Sequence, residues 1–91
     1  MDATPAEIAR ALTPLQRAEI RHLSDRGFRR PLNAGRARQM ALGTSPFGGA
    51  HGVPGPLYFL VQKNTAVRGL YRLSELGAAV REALIEQEAR K

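Results

Sequence analysis

Two four-residue strings, TPAE at 4–7 and TPLQ at 13–16, constrain the start of this chain more than any other feature in it. Each sets a threonine before a proline, with an acid or amide three residues after the threonine. A threonine at the N-cap accepts a hydrogen bond from the third amide of the helix, and the Glu or Gln side chain reaches back to the cap's own amide. The fixed φ of proline suits the first helical position, where its missing N–H is no loss. The two strings therefore predict a short helix, a break near Leu12 and a second helix. The second is expected to run through LQRAEIRHLSDR and to stop at Gly27, a residue suited to the position after a helix end. Ile20 and Leu23 share its inner face, with Leu15 at the edge, and Leu12 can fold over that face as a staple. His22 lies near Leu15 on the same cylinder and reads as a half-buried surface histidine, not a ligand or a base.

The string FRRP follows. Phe28 anchors a short extended segment, and Pro31 keeps it from being a long central strand. In NAGRARQMALG, Asn33 can cap another short helix. Ala37, Met40 and Ala41 fall at i, i+3, i+4, Gly43 ends it, and Arg36 and Arg38 lie off the apolar stripe. Gly35 weakens that helix by about 1 kcal/mol relative to alanine. In the glycine-rich loop GTSPFGGAHG, Phe47 is expected to tuck into the core or a partner. TAVRGLYRL reads as a tight hairpin around Arg68 and Gly69, the glycine supplying the positive φ such turns need. The last 18 residues form the clearest helix, with Ser74 as cap and Glu75 complementing the dipole. Leu73, Leu76, Val80, Ala83 and Leu84 make its stripe, and its charged tail is expected to fray.

The run GVPGPLYFLVQKN is ambiguous. As a strand, Leu57, Phe59 and Val61 share one face and Tyr58 and Leu60 the other, which suits a central strand. As a helix from Pro56, Leu57, Leu60 and Val61 sit at i, i+3, i+4, Asn64 follows the end, and Tyr58, Phe59, Gln62 and Lys63 point outward. Periodicity does not separate the two.

With 91 residues the chain is expected to form one domain with a modest core. No run approaches the length of a membrane span. The first ten residues lack the basic start and apolar core of a secretory signal. The absence of cysteine excludes disulfides and thiolate metal sites and fits a reducing cytoplasm. Net charge is +6, and of 14 basic residues all but Lys63 and Lys91 are arginine. Arginine is always charged and forks onto phosphate, so a polyanion is the default partner, against the plainer cause of arginine-rich codon usage. There is no catalytic string and no histidine pair at helical spacing. Glu19, His22 and Asp25 cluster in sequence, but on a helix they read as a solvated face. No enzyme, cofactor or metal is expected.

Three pieces of the chain resemble the winged helix-turn-helix domains, including the MarR type and related small bacterial and phage proteins. LTPLQRAEIRHLSDRG is similar to their opening helix. LVQKNTAV is similar to the end of the recognition helix and the strand after it, with Asn64 where the family has glycine. YRLSELGAAVREAL is similar to the wing exit and last helix. Together they span about half the chain. The resemblance implies a mainly α fold with a small antiparallel β-sheet. It divides the single domain into a helical extension over 1–11, a first helix over 12–27, a helix-turn-helix over 33–64, a short wing over 65–73 and a C-terminal helix over 74–91. It favours the helix reading of PLYFLVQKN, placing about Pro56 to Lys63 in a major groove.

The function so implied is binding of double-stranded DNA by a small bacterial or phage transcriptional regulator. Arg29, Arg30, Arg36, Arg38, Lys63, Arg68 and Arg72 would hold phosphates, with Thr44 and His51 assisting from the loop. Gln62 is placed to read adenine, and Tyr58 to stack or touch a thymine methyl. The rival is a protein-interaction module on a degenerate winged helix, such as a phage inhibitor of a host protein or ribonucleoprotein complex, of the anti-CRISPR kind. Phe47, Tyr58 and Phe59 would carry that interface. A homodimer through the terminal helices, using the LGAAVREALIEQ stripe, is a further expectation.

Overall fold

The structure is a computed structural model and describes residues 4–43 and 60–90, without the side chains at 38–40 and 43. It is mainly helical with a small antiparallel sheet. In chain order the elements are α1 (Pro5–Ala11), α2 (Pro14–His22), α3 (Gly35–Gly43), β1 (Val61–Lys63), β2 (Tyr71–Leu73) and α4 (Glu75–Ala89).

Both threonine caps form as their residues dictate. Thr4 and Thr13 each accept from the amide three residues on, at 3.2 Å, while Glu7 and Gln16 reach back to the cap amides. Leu12, between the two helices, is buried in the core. α2, however, ends at His22 and not at Gly27. Leu23 leaves the helix with an extended ψ of 159° and drives its side chain fully inward. The reason is tertiary: the Ser24 carbonyl is taken by the amide of Leu73 at 2.8 Å, which requires the chain to turn alongside β2.

That turn leads to Arg29, which exchanges both backbone hydrogen bonds with Tyr71 at 2.8 Å. β2 is thus flanked by Arg29 on one side and by β1 on the other, in the register Val61–Leu73, Gln62–Arg72, Lys63–Tyr71. The extended contact near Phe28 is one residue pair long, as expected of a segment closed by Pro31.

The hairpin differs from expectation. Its first strand is Val61–Lys63, while 65–67 lie in the loop. Asn64 decides this. Its Oδ1 accepts from the amides of Ala66 and Val67 at 2.8 and 3.0 Å, and its own amide donates to Leu70 at 2.9 Å, so the strand closes there. Gly69, with φ of 85°, completes the turn. Leu60 has helical backbone and Val61–Lys63 is strand, so the run 60–63 passes from one to the other. Residues 57–59 lie outside the described part.

α4 crosses α1, α2 and β2. Its inward face is Gly77, Val80 and Leu84 with Ala83 beside them, whereas Leu76 is 36% exposed and not part of the stripe. The core gathers Ile8, Ala9, Leu12, Ile20, Leu23, Leu60, Leu73, Val80 and Leu84. Each fully buried Leu or Ile among them contributes about 1.5–3 kcal/mol relative to exposure. Val80 and Leu84 of α4 are thus buried within the same chain, while Leu76 and Ile85 stay exposed at 36% and 44%. No helix among the described residues is long and apolar enough to cross a membrane.

Candidate nucleic-acid interface

The charges of the chain are divided by segment. From residue 26 to 74 there is no acid, while Arg26, Arg29, Arg30, Arg36, Arg38, Lys63, Arg68 and Arg72 are all there. The flanking segments each hold four acids and three bases. The net positive charge therefore belongs to the middle, which holds α3, the 26–30 segment and the hairpin.

The arginines outside the middle are mostly occupied. The Arg21 guanidinium pairs with both Glu88 oxygens at 2.9 and 3.1 Å, tying α2 to α4. Arg81 Nε donates to the Arg21 carbonyl at 3.1 Å, and Arg90 pairs with Glu86 one turn back at 2.6 Å. In the middle, Arg29 is likewise engaged. Its Nη1 donates to the His22 carbonyl at 3.0 Å, at the end of α2, where a cation also complements the helix dipole. Its backbone is the pair of Tyr71. Arg29 has a structural part in joining α2 to the sheet, beyond the phosphate contact expected of it.

Arg26, Arg30, Arg36, Lys63 and Arg68 are exposed, and their cationic heads meet no acceptor among the described residues. Arg26 was not among the expected contacts; the acid-free run that begins with it is the signal that marks it. The Arg29–Tyr71 pair sets the 26–30 segment beside the hairpin. His22 Nε2, 2.9 Å from the Arg30 carbonyl, and α2–α3 packing join the same segment to α3. His22 is half-buried, as its position on the helix suggests.

Gln62 and Lys63 are strand residues, not part of a reading helix. Gln62 Oε1 accepts from Arg72 Nε at 3.0 Å and Nη2 at 2.8 Å across the hairpin. The Arg72 guanidinium lies 4.6 Å from the centre of the Phe28 ring. Gln62 as an adenine reader on a helix is therefore corrected: its side chain is set on the outer face of a sheet and its oxygen is engaged. Thr44, Phe47, His51, Tyr58 and Phe59 lie outside the described residues, as does the side chain of Arg38.

Glu19 is a correction of another kind. It is fully buried, not on a solvated face. One carboxylate oxygen accepts from the Leu32 amide at 2.7 Å, and the other has no partner among the described residues. Burial pushes its pKa up, against the Leu32 amide, nearby His22 and the Asn33 amide, which lower it. The carboxylate holds the turn before α3 onto α2. Two apolar side chains within the basic segment are in the open, Leu32 at 58% and Val67 at 49% exposure.

The chain matches no protein-family model, no curated protein and no solved structure.

Proposed function

We propose that this chain binds double-stranded DNA on a winged-helix frame, as a small non-catalytic regulator. The observation that carries the reading is the acid-free middle segment, with five exposed cations that have no acceptor among the described residues. Supporting it is the order of elements: helices, a helical residue at Leu60, then an antiparallel hairpin flanked by one extended pair at Arg29, then a closing helix. That order agrees with a wing packed beside a helix-turn-helix. The hairpin spans 61–73, longer than the short wing over 65–73 expected from the sequence, and carries Lys63, Arg68 and Arg72.

Each phosphate neutralised releases counterions, so affinity should fall with log salt at a slope of about −4 to −5 for five contacts. Fluorescence anisotropy with mixed-sequence duplex DNA across a salt series measures this. A dissociation constant tighter than about 10 μM at low salt, with that slope, supports the reading. No binding at low salt overturns it.

A second reading is favoured by Leu32 and Val67. Exposed apolar side chains beside arginines suit a protein interface. The double variant Arg36→Glu, Arg38→Glu separates the two: it abolishes duplex binding under the first reading, and under the second there is no duplex binding to lose.

A further inference from the structure

Resting on the DNA-binding reading, we infer that Arg72 is a preformed fork for a backbone phosphate, with Gln62 and Phe28 as the residues that position its head. The strand register places Gln62 directly opposite Arg72, where side chains on one face of a hairpin meet. Gln62 Oε1 takes both Nε and Nη2 of Arg72, which occupies one edge of the planar guanidinium. The Phe28 ring lies against its face, with Cζ 4.6 Å from the ring centre. One edge and one face are thus used inside the molecule.

The remaining edge, formed by Nη1 and the second Nη2 hydrogen, meets no acceptor among the described residues. Two parallel donors in that geometry match two oxygens of a phosphate. The heads of Arg30, Arg36, Lys63 and Arg68 must be ordered when they bind. That of Arg72 is ordered already, so less freedom is lost on contact. Arg72 should then contribute more to affinity than its single charge implies, and Gln62, which carries no charge, should contribute through it.

The test compares wild type, Arg72→Lys and Gln62→Leu with mixed-sequence duplex DNA over a salt series, with urea midpoints alongside. Arg72→Lys keeps the charge and loses the fork. Its affinity is expected to fall about tenfold, as loss of a charge-assisted hydrogen-bond pair implies, with the salt slope unchanged. Gln62→Leu should weaken binding in the same way, again at an unchanged slope. Arg36→Gln, by contrast, should lower the slope by about 0.9. Equal affinity of wild type, Arg72→Lys and Gln62→Leu, with wild type binding normally, overturns the fork and leaves the pair as a hairpin tie seen only in the urea midpoint. A loss confined to G·C-rich duplexes overturns the phosphate assignment in favour of a base edge. Absence of wild-type binding overturns the DNA reading and the fork together.

Discussion

Gly77 carries no side chain because the Leu60 carbonyl occupies the place where one would begin. A Cβ built there would overlap the Leu60 oxygen and lie 3.0 Å from its carbonyl carbon. The same oxygen accepts the Ser74 amide at 2.9 Å, so the start of α4 is seated on the backbone that leads into β1. Gly→Ala inside a helix ordinarily gains up to about 1 kcal/mol in propensity. Forcing a methyl against fixed backbone costs about 1–3 kcal/mol, and the backbone contact cannot rotate away. The cost exceeds the gain, so Gly77→Ala should lower the urea midpoint, and a rise would refute the packing. Glu19 acts through charge. Its folded pKa is raised above the ordinary value of 4.5, so the folded state holds the proton more tightly than the unfolded one. Stability contributed by this group should therefore fall as pH rises from about 4.5 through the raised value. Glu19→Gln removes that slope and should be no less stable than wild type near pH 7, checked by urea midpoints of the two proteins across pH. Glu7 has the opposite sense, its pKa lowered by hydrogen bonds from Thr4, so its small stabilising effect is lost at acid pH.

At the scale of elements, caps and turns matter more than propensity. α1 and α2 are 7 and 9 residues long, too short to persist alone in water, and their capping boxes close their first turns. Thr13→Ala should cost about 1 kcal/mol, the usual worth of an N-cap. Thr4→Ala should cost less, because the partner of Thr13 is the buried Gln16 whereas Glu7 is exposed. Thermal denaturation of the two variants orders them. The caps were legible from sequence because each is a local arrangement of four residues. The end of α2 was not, because the Ser24–Leu73 hydrogen bond that ends it joins residues nearly fifty positions apart. The hairpin register escaped for a different and local reason. Gly69 was recognised as the turn residue, but Asn64 sets the strand end through its own side-chain bonds, which shifts the strand to Val61–Lys63. Gly35 shows local chemistry misplaced by one step: it starts α3 with φ of 60°, and does not weaken the interior of a helix.

Over the whole molecule, charge and apolar surface are sorted into different parts. Four of the acids sit on α4, where Glu88 and Glu86 engage Arg21 and Arg90. The middle segment holds eight bases and no acid, so its field is not cancelled nearby. Its charge was legible in composition, but which arginines are engaged was not. Arg29, Arg30 and Arg72 are near-equivalent in sequence. The fold puts Arg29 on the His22 carbonyl, Arg72 between Gln62 and Phe28, and leaves the Arg30 head in solvent. The surroundings of Glu19 and Gln62 were not legible because the apolar period places a residue on a face of its own element and says nothing of what the next element brings to that face. The sequence by itself determined where α1, α2 and α4 begin, that the chain is mainly helical with a small hairpin, and that its middle is basic. These depend on interactions within a few residues or on composition. The tertiary structure alone decided where α2 ends, why position 77 is glycine and which basic heads stay open. Each of these is a contact between distant residues, whose free energy exists only once the core has brought them together.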